Sequence, residues 1–190
     1  MNQLDGLYTR ETVLKKQQTK KRTAQTAGID KRLYTLDVFI ISGPLTERFV
    51  KENRVVSRAI QIRGSQTLEE LHRAIFNAFD REDEHMYEFQ VGGKGPMDRK
   101  ARRYTLHVSD DDLGSEGRPA GDVHKTTIGS LGLKVDDAFG YWFDFGDDWR
   151  HQINVVAIEE SPGRGQFPKV VKRVGESPPQ YVDWDEEEDE

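Results

Sequence analysis

Three carboxylates and an imidazole crowd around one turn in Phe143-Asp144-Phe145-Gly146-Asp147-Asp148-Trp149-Arg150-His151. Oxygen donors from Asp144, Asp147 and Asp148 with one nitrogen from His151 would suit a divalent cation such as Mg²⁺, Mn²⁺ or Fe²⁺ better than zinc. The same residue types also suit a tight hairpin, because Asp side chains accept hydrogen bonds from local amides and Gly takes positive φ. The phrase therefore reads either as a metal-dependent active site or as a turn that needs no cofactor, and the turn is the reading favoured here.

Other reactive residues are less well placed. Alternation along His85-Met86-Tyr87-Glu88-Phe89-Gln90-Val91 puts His85 and Glu88 on opposite faces of a strand, so they cannot share a site without a bulge. His72 falls at the margin of a helical apolar stripe, where a ring with an apolar body and a polar tip packs while partly solvated. Asp110-Asp111-Asp112-Leu113-Gly114 fails as a calcium loop, because Ser115 stands where Gly is needed and Gly121 where Glu is needed. Gly92-Gly93-Lys94-Gly95-Pro96 lacks the Lys-Ser/Thr ending of a phosphate cradle and reads as a strand-ending turn. No Gly-x-Ser-x-Gly elbow supports acyl transfer, and with no Cys there is no thiolate nucleophile, disulfide or thiolate metal site.

Arg99, Lys100, Arg102 and Arg103, with Lys169, Lys172 and Arg173, are candidate phosphate or partner contacts, and Tyr104 or Phe167 could stack on bases. Against nucleic acid stands the charge: the 190-residue chain is −6 overall. Positive charge gathers instead in residues 1–32, where eight basic residues face three acidic ones, and the last eight residues include seven acidic ones and no basic one. Residues 1–32 read as a basic flexible arm and 182–190 as an acidic disordered tail.

Between the arms, hydrophobic periodicity switches between strand and helix. Leu33–Ile41, Val55–Ile62, His85–Val91 and Arg103–Val108 read as strands, and Thr46–Asn53 as one or two helical turns. Thr67-Leu68-Glu69-Glu70 fits a capping box, followed by Leu68, Leu71, Ile75, Ala78 and Phe79 at helical spacing, which predicts a helix over Thr67–Phe79. Asp110–Asp122 reads as a polar loop and Thr127 as the cap of a short helix. Ala138–Phe145 and Trp149–Ile158 are expected to form a hairpin whose core anchors are Phe143, Phe145, Trp149 and Ile153. The expected fold class is α+β: a mostly antiparallel sheet with one main helix packed on one face, a single core domain over residues 33–160, and a C-terminal wrapping segment over 161–181. No run of 18 apolar residues occurs, so no membrane partner is expected, and with no Cys the chain reads as cytoplasmic.

The runs Ser57-Arg58-Ala59-Ile60-Gln61-Ile62, Thr67 to Ile75, His85-Met86-Tyr87-Glu88-Phe89 and Tyr141-x-Phe143-Asp144-Phe145-Gly146-Asp147-Asp148-Trp149-x-His151-x-Ile153 together resemble the plasmid ORF-three-like family, also labelled an insertion-element passenger family. The resemblance implies an α+β domain of prokaryotes and mobile elements with no established biochemical role. Members often carry His-Leu-His-Glu-Phe where this chain has His85-Met86-Tyr87-Glu88-Phe89, and Pro-Pro-Glu-Asp where it has Pro178-Pro179-Gln180-Tyr181, so ligands available to them are missing here. The resolvase connotation of the insertion-element label fails, because Arg54-Val55-Val56-Ser57 lacks the Tyr and the spacing of a recombinase nucleophile. The expected function is a non-enzymatic binding or accessory module with an unknown protein or nucleic-acid partner and no cofactor, against the alternative of a metal-dependent enzyme on the aspartate hairpin.

Overall fold

Period-two burial builds the sheet from the first strand onward: β1 (Leu33–Ser42) buries Tyr34, Leu36 and Val38, which lie opposite Ile62, Ile60 and Arg58 of β2 (Ser57–Arg63). The computed structural model describes residues 31–94, 96, 98–106 and 119–182. The basic arm up to residue 30, the Asp110-Asp111-Asp112-Leu113-Gly114 segment and the acidic tail from Asp183 lie outside the described residues.

The remaining strands are β3 (Tyr87–Val91), β4 (Arg102–Thr105), β5 (Gly121–Asp122), β6 (Ala138–Phe143), β7 (Trp149–Glu159) and β8 (Lys169–Val174). They form one eight-stranded sheet in the order β5-β4-β3-β6-β7-β1-β2-β8. Every pairing is antiparallel except the short parallel contact of β4 with β5. In β7 the odd-numbered residues Trp149, His151, Ile153 and Val155 are buried, as are Phe139, Tyr141 and Phe143 in β6.

Among the described residues two α-helices accompany the sheet. The short α1 (Glu47–Glu52) buries none of its residues and is capped by Thr46, whose hydroxyl accepts from the Phe49 amide. Helix α2 (Leu68–Ala78) has the expected capping box: the Thr67 hydroxyl accepts from Glu70 N at 3.2 Å, and the Glu70 carboxylate accepts from Thr67 N at 2.7 Å. Leu68, Leu71, Ile75 and Ala78 of α2 belong to the same buried cluster as Leu36, Phe89, Phe139 and Ile153 of the strands. The chain leaves the helix through Asp80, whose φ of 53° lies in the left-handed region that Asp tolerates better than most residues.

Several expectations need correction. Strand β3 starts at Tyr87, so His85 sits in the preceding loop. The polar loop ends in a strand, since Gly121–Asp122 pair with β4. The segment after Thr127 is a 3₁₀ turn, Ile128–Leu131, and the Thr127 side chain makes no cap bond. Strand β6 stops at Phe143, because Asp144 turns into the left-handed region at φ 51°, and Phe145 is consequently 41% exposed rather than a core anchor. Within 161–181, where a wrapping segment was expected, Lys169–Val174 extends the sheet as edge strand β8 against β2.

Candidate functional site

The aspartate hairpin is a self-bonded turn. Asp144 Oδ1 accepts from the amides of Gly146 at 3.1 Å and Asp147 at 3.3 Å, while Asp144 C=O accepts from Asp148 N at 2.7 Å. Asp148, at φ 58°, accepts from Arg150 Nε at 2.8 Å. Mutual repulsion of the three carboxylates is thus offset by amides and one guanidinium. The fourth candidate ligand, His151, is 2% exposed on the buried face of β7, with ring contacts to Phe79 and Tyr141. Among the described residues no group of three or more His, Asp or Glu side chains is arranged to hold a metal ion.

His85 joins this turn to the C-terminal segment. Its Nε2 lies 3.4 Å from Asp144 Oδ2 and 3.0 Å from the Tyr181 hydroxyl, and that hydroxyl donates to Asp83 at 3.0 Å. Partial desolvation and the charges of Asp83, Asp144 and Asp147 raise the Tyr181 pKa, a sign of negative potential at this end of the sheet. Glu88 is separate from His85, not by the strand alternation expected of the pair but because His85 precedes β3. It is buried on the other face, where it accepts from Arg103 Nε at 2.9 Å and from Gln90 Nε2 at 2.6 Å.

Around these polar groups Met86, Phe145 and Tyr181 are 52%, 41% and 49% exposed. Phe145 rests on Trp142 at 4.3 Å between ring centroids, and the Arg150 guanidinium lies 5.7 Å from the Trp142 ring. Phe145 thus lies on the Trp142 side of β6, while His85 and Tyr181 lie on the Phe143 side.

Below the hairpin lies a buried polar cluster that sequence reasoning missed. His72 is 2% exposed, not partly solvated: its ring stacks on Tyr87 at 3.7 Å, its Nδ1 is 2.7 Å from the Tyr141 hydroxyl, and its Nε2 is 3.1 Å from Glu84. Burial lowers the His72 pKa, with Glu84 opposing, and burial raises that of Tyr141 well above its ordinary value. A protonated Tyr141 therefore donates to Nδ1, and the neutral imidazole donates from Nε2 to Glu84. Arg81 is 7% exposed, with its guanidinium carbon 3.6 Å from the Trp149 ring centroid and Nη1 donating to the carbonyls of Pro178 and Pro179. Burial lowers the Arg81 pKa to about 10. Burial and the Arg81 charge lower that of His151 to about 3.

The basic candidates do not form one surface. Arg102 and Arg103 lie on β4, with Arg99 and Lys100 just before it, while Lys169, Lys172 and Arg173 lie on β8, toward the opposite end of the sheet. Arg103 is ion-paired with Glu88, and Arg173 donates to the Ala78 carbonyl at the end of α2. Tyr104 is buried in the core, so it is not presented for base stacking, and the Phe167 ring has Arg63 over it at 4.8 Å.

Comparison with known proteins places this arrangement among relatives without an assigned role. The chain is 27% identical over 139 residues to the uncharacterized protein y4hQ of Sinorhizobium fredii, covering 67% of this chain and 59% of that relative's length. The solved structure of MM3350 from Methanosarcina mazei Go1, a protein of unknown function, shares the fold at a TM-score of 0.60 and 21% identity, over 78% of this chain and 73% of that one. No described helix is long and apolar enough to cross a membrane. A family model, plasmid pRiA4b ORF-3-like protein, matches residues 48–184, which include helix α2, the aspartate hairpin and Tyr181, and the chain belongs to that family.

Proposed function

We propose that the protein is a non-enzymatic binding module, an accessory component of plasmid or mobile-element systems, that takes a basic protein segment at the hairpin end of its sheet. The observation that carries this reading is the exposed Tyr181, whose hydroxyl donates to Asp83 within the negative potential of Asp83, Asp144 and Asp147, at the end of the sheet that also exposes Met86 and Phe145. Exposed aromatic and Met side chains supply apolar contact area, while the surrounding negative charge selects and steers a cationic partner. Because Asp144 and Asp148 are already engaged by turn amides and Arg150, the hairpin serves as a rigid platform for Phe145. Nucleic acid is disfavoured by the separation of the basic residues to the two ends of the sheet, since phosphate tracking needs a continuous positive face.

The test is panning of phage-displayed random peptides on immobilised full-length protein. The expected result is enrichment of sequences with Lys or Arg flanking an aromatic or aliphatic residue, and loss of their binding in Phe145→Ser and in Asp147→Lys. Enriched peptides that bind both variants as well as wild type would overturn the reading. So would retention of a labelled oligonucleotide at ~50 mM salt that is lost by ~200 mM, which would assign the partner to nucleic acid.

A further inference from the structure

Three neighbouring side chains in the interior lack the partners their chemistry requires. Trp149 and His151 lie two residues apart on the buried face of β7, and Arg81 covers the Trp149 ring at 3.6 Å. Arg81 Nη2 and Trp149 Nε1 are buried without a hydrogen-bond partner, and the equally buried His151 ring has only a poorly aligned approach to the Tyr141 backbone. Each such atom costs about 1–3 kcal/mol when left unsatisfied, so two orphaned donors on the stacked Arg81 and Trp149, with His151 two residues along the same strand face, mark a place for something polar that the chain does not supply.

The missing species has a definite chemistry. Arg81 offers N–H donors only, the indole offers one N–H donor, and a neutral His151 offers one more. The Tyr141 hydroxyl is committed to His72 and cannot serve as a further donor. Among the described residues no carboxylate lies within ion-pairing distance of Arg81; the adjacent Asp80 instead accepts from Ser177 Oγ at 2.6 Å and faces the Arg173 guanidinium at 3.5 Å. A buried guanidinium with no ion pair of its own, stacked on an indole whose N–H is also unpartnered, calls for an anion.

We propose that Arg81, Trp149 and His151 form an internal site for a small oxyanion, either a ligand carboxylate or an inorganic oxyanion. The segment Pro178–Tyr181 covers it. Gln180 holds that cover in place, its Oε1 accepting from the amides of Glu82 and Asp83 and its Nε2 donating to the Asp83 carbonyl. The site is independent of the peptide surface proposed above, which uses the outside of the hairpin.

The experiment titrates ¹⁵N-labelled full-length protein with sodium formate or sodium phosphate at constant ionic strength held by sodium gluconate. The indole N–H of Trp149, assigned through Trp149→Phe, should shift and saturate, and Tm should rise to a plateau with the same midpoint. Arg81→Gln should abolish both responses. Saturation by formate alone supports a ligand carboxylate, and saturation by both supports a general oxyanion site. Crystals of wild-type protein soaked in sodium bromide give a readout that does not depend on the folding of Arg81→Gln, since an anomalous peak within hydrogen-bonding reach of Arg81 Nη2 is expected. A linear, unsaturated shift with both salts, or an ordered water and no bromide at that position, would overturn the proposal.

Discussion

Gly43 and Trp149 provide the sharpest test of the packing described here. Trp149 is fully buried, with Arg81 over its ring, and a Cβ added to Gly43 would fall 2.7 Å from Cζ3 and 2.8 Å from Cδ2 of that ring, with Cε3 closer still. Gly43 is not in the left-handed region, so an alanine there is opposed by the indole alone and not by its backbone. Overpacking of this kind costs about 1–3 kcal/mol, so Gly43→Ala should lower stability by roughly that amount. Trp149→Leu removes the opposing ring and, as a large-to-small change in the core, should itself cost about 3 kcal/mol. In the Trp149→Leu background the steric penalty vanishes, and Gly43→Ala becomes neutral or gains about 0.4–1 kcal/mol from a stiffer unfolded chain. Urea titrations of the four proteins, compared at equal m-values, should therefore give a coupling energy of at least ~1 kcal/mol. Costs that simply add, within about 0.5 kcal/mol, would show that the Gly43–Trp149 contact does not exist as described.

Two further outcomes are expected. Asp144→Asn should keep the acceptor for Gly146 N and Asp147 N and stay within about 0.5 kcal/mol of wild type, whereas Asp144→Ala should lose about 1–2 kcal/mol; a Mn²⁺-dependent rise in Tm that disappears in Asp144→Asn would return the hairpin to the metal-ligand reading. Because burial holds His151 at a pKa of about 3 against an ordinary 6.5, the unfolded chain takes up a proton that the native one refuses, so this residue makes stability rise with pH across that window and level off above it. The slope should approach ~1.4 kcal/mol per pH unit, with His72 adding in the same direction, and His151→Phe should flatten it in denaturant titrations run from pH 4 to 8.

Local signals carried the elements that depend on local chemistry. Thr67 and Glu70 cap α2 as their spacing demands, and the strict alternation of Trp149, His151 and Ile153 marks β7 directly. Strand β8 escaped because an edge strand that buries little leaves no apolar period: Lys169, Val171, Lys172 and Arg173 are all exposed, and the clue was only the β-branched Val170, Val171 and Val174. Phe145 was misplaced because period-two reading cannot see that Asp144 has left the strand; an Asp ahead of Phe-Gly-Asp-Asp is a turn opener whose side chain bonds amides two and three residues on. The buried cluster was invisible for a different reason. His72, Arg81, Tyr141 and His151 come from α2, the loop after it, β6 and β7, and nothing in the spacing of any one of them announces the others.

Arg58 shows what a buried arginine looks like in this fold when its role is structural. At 1% exposure its Nε donates to the Ala78 carbonyl at 2.8 Å, its Nη1 to Ser57, Val174 and Gly175, and its Nη2 to Ser177 Oγ at 2.8 Å. One planar guanidinium thereby ties the end of α2, strand β2 and the chain beyond β8 together, with its charge set against the negative end of the helix. Arg173 joins it on the same carbonyl. Arg81 is buried almost as deeply and lies three residues past that helix end, yet it makes two long bonds of 3.3 and 3.4 Å from one nitrogen and leaves Nη2 empty. Tying down the C-terminal segment does not account for it, because Arg58, Ser177 and Gln180 already do so with shorter bonds. A methionine of similar length would fill the same space over Trp149 without burying a charge, so what a guanidinium adds there is its donors, and a bound anion is what would use them.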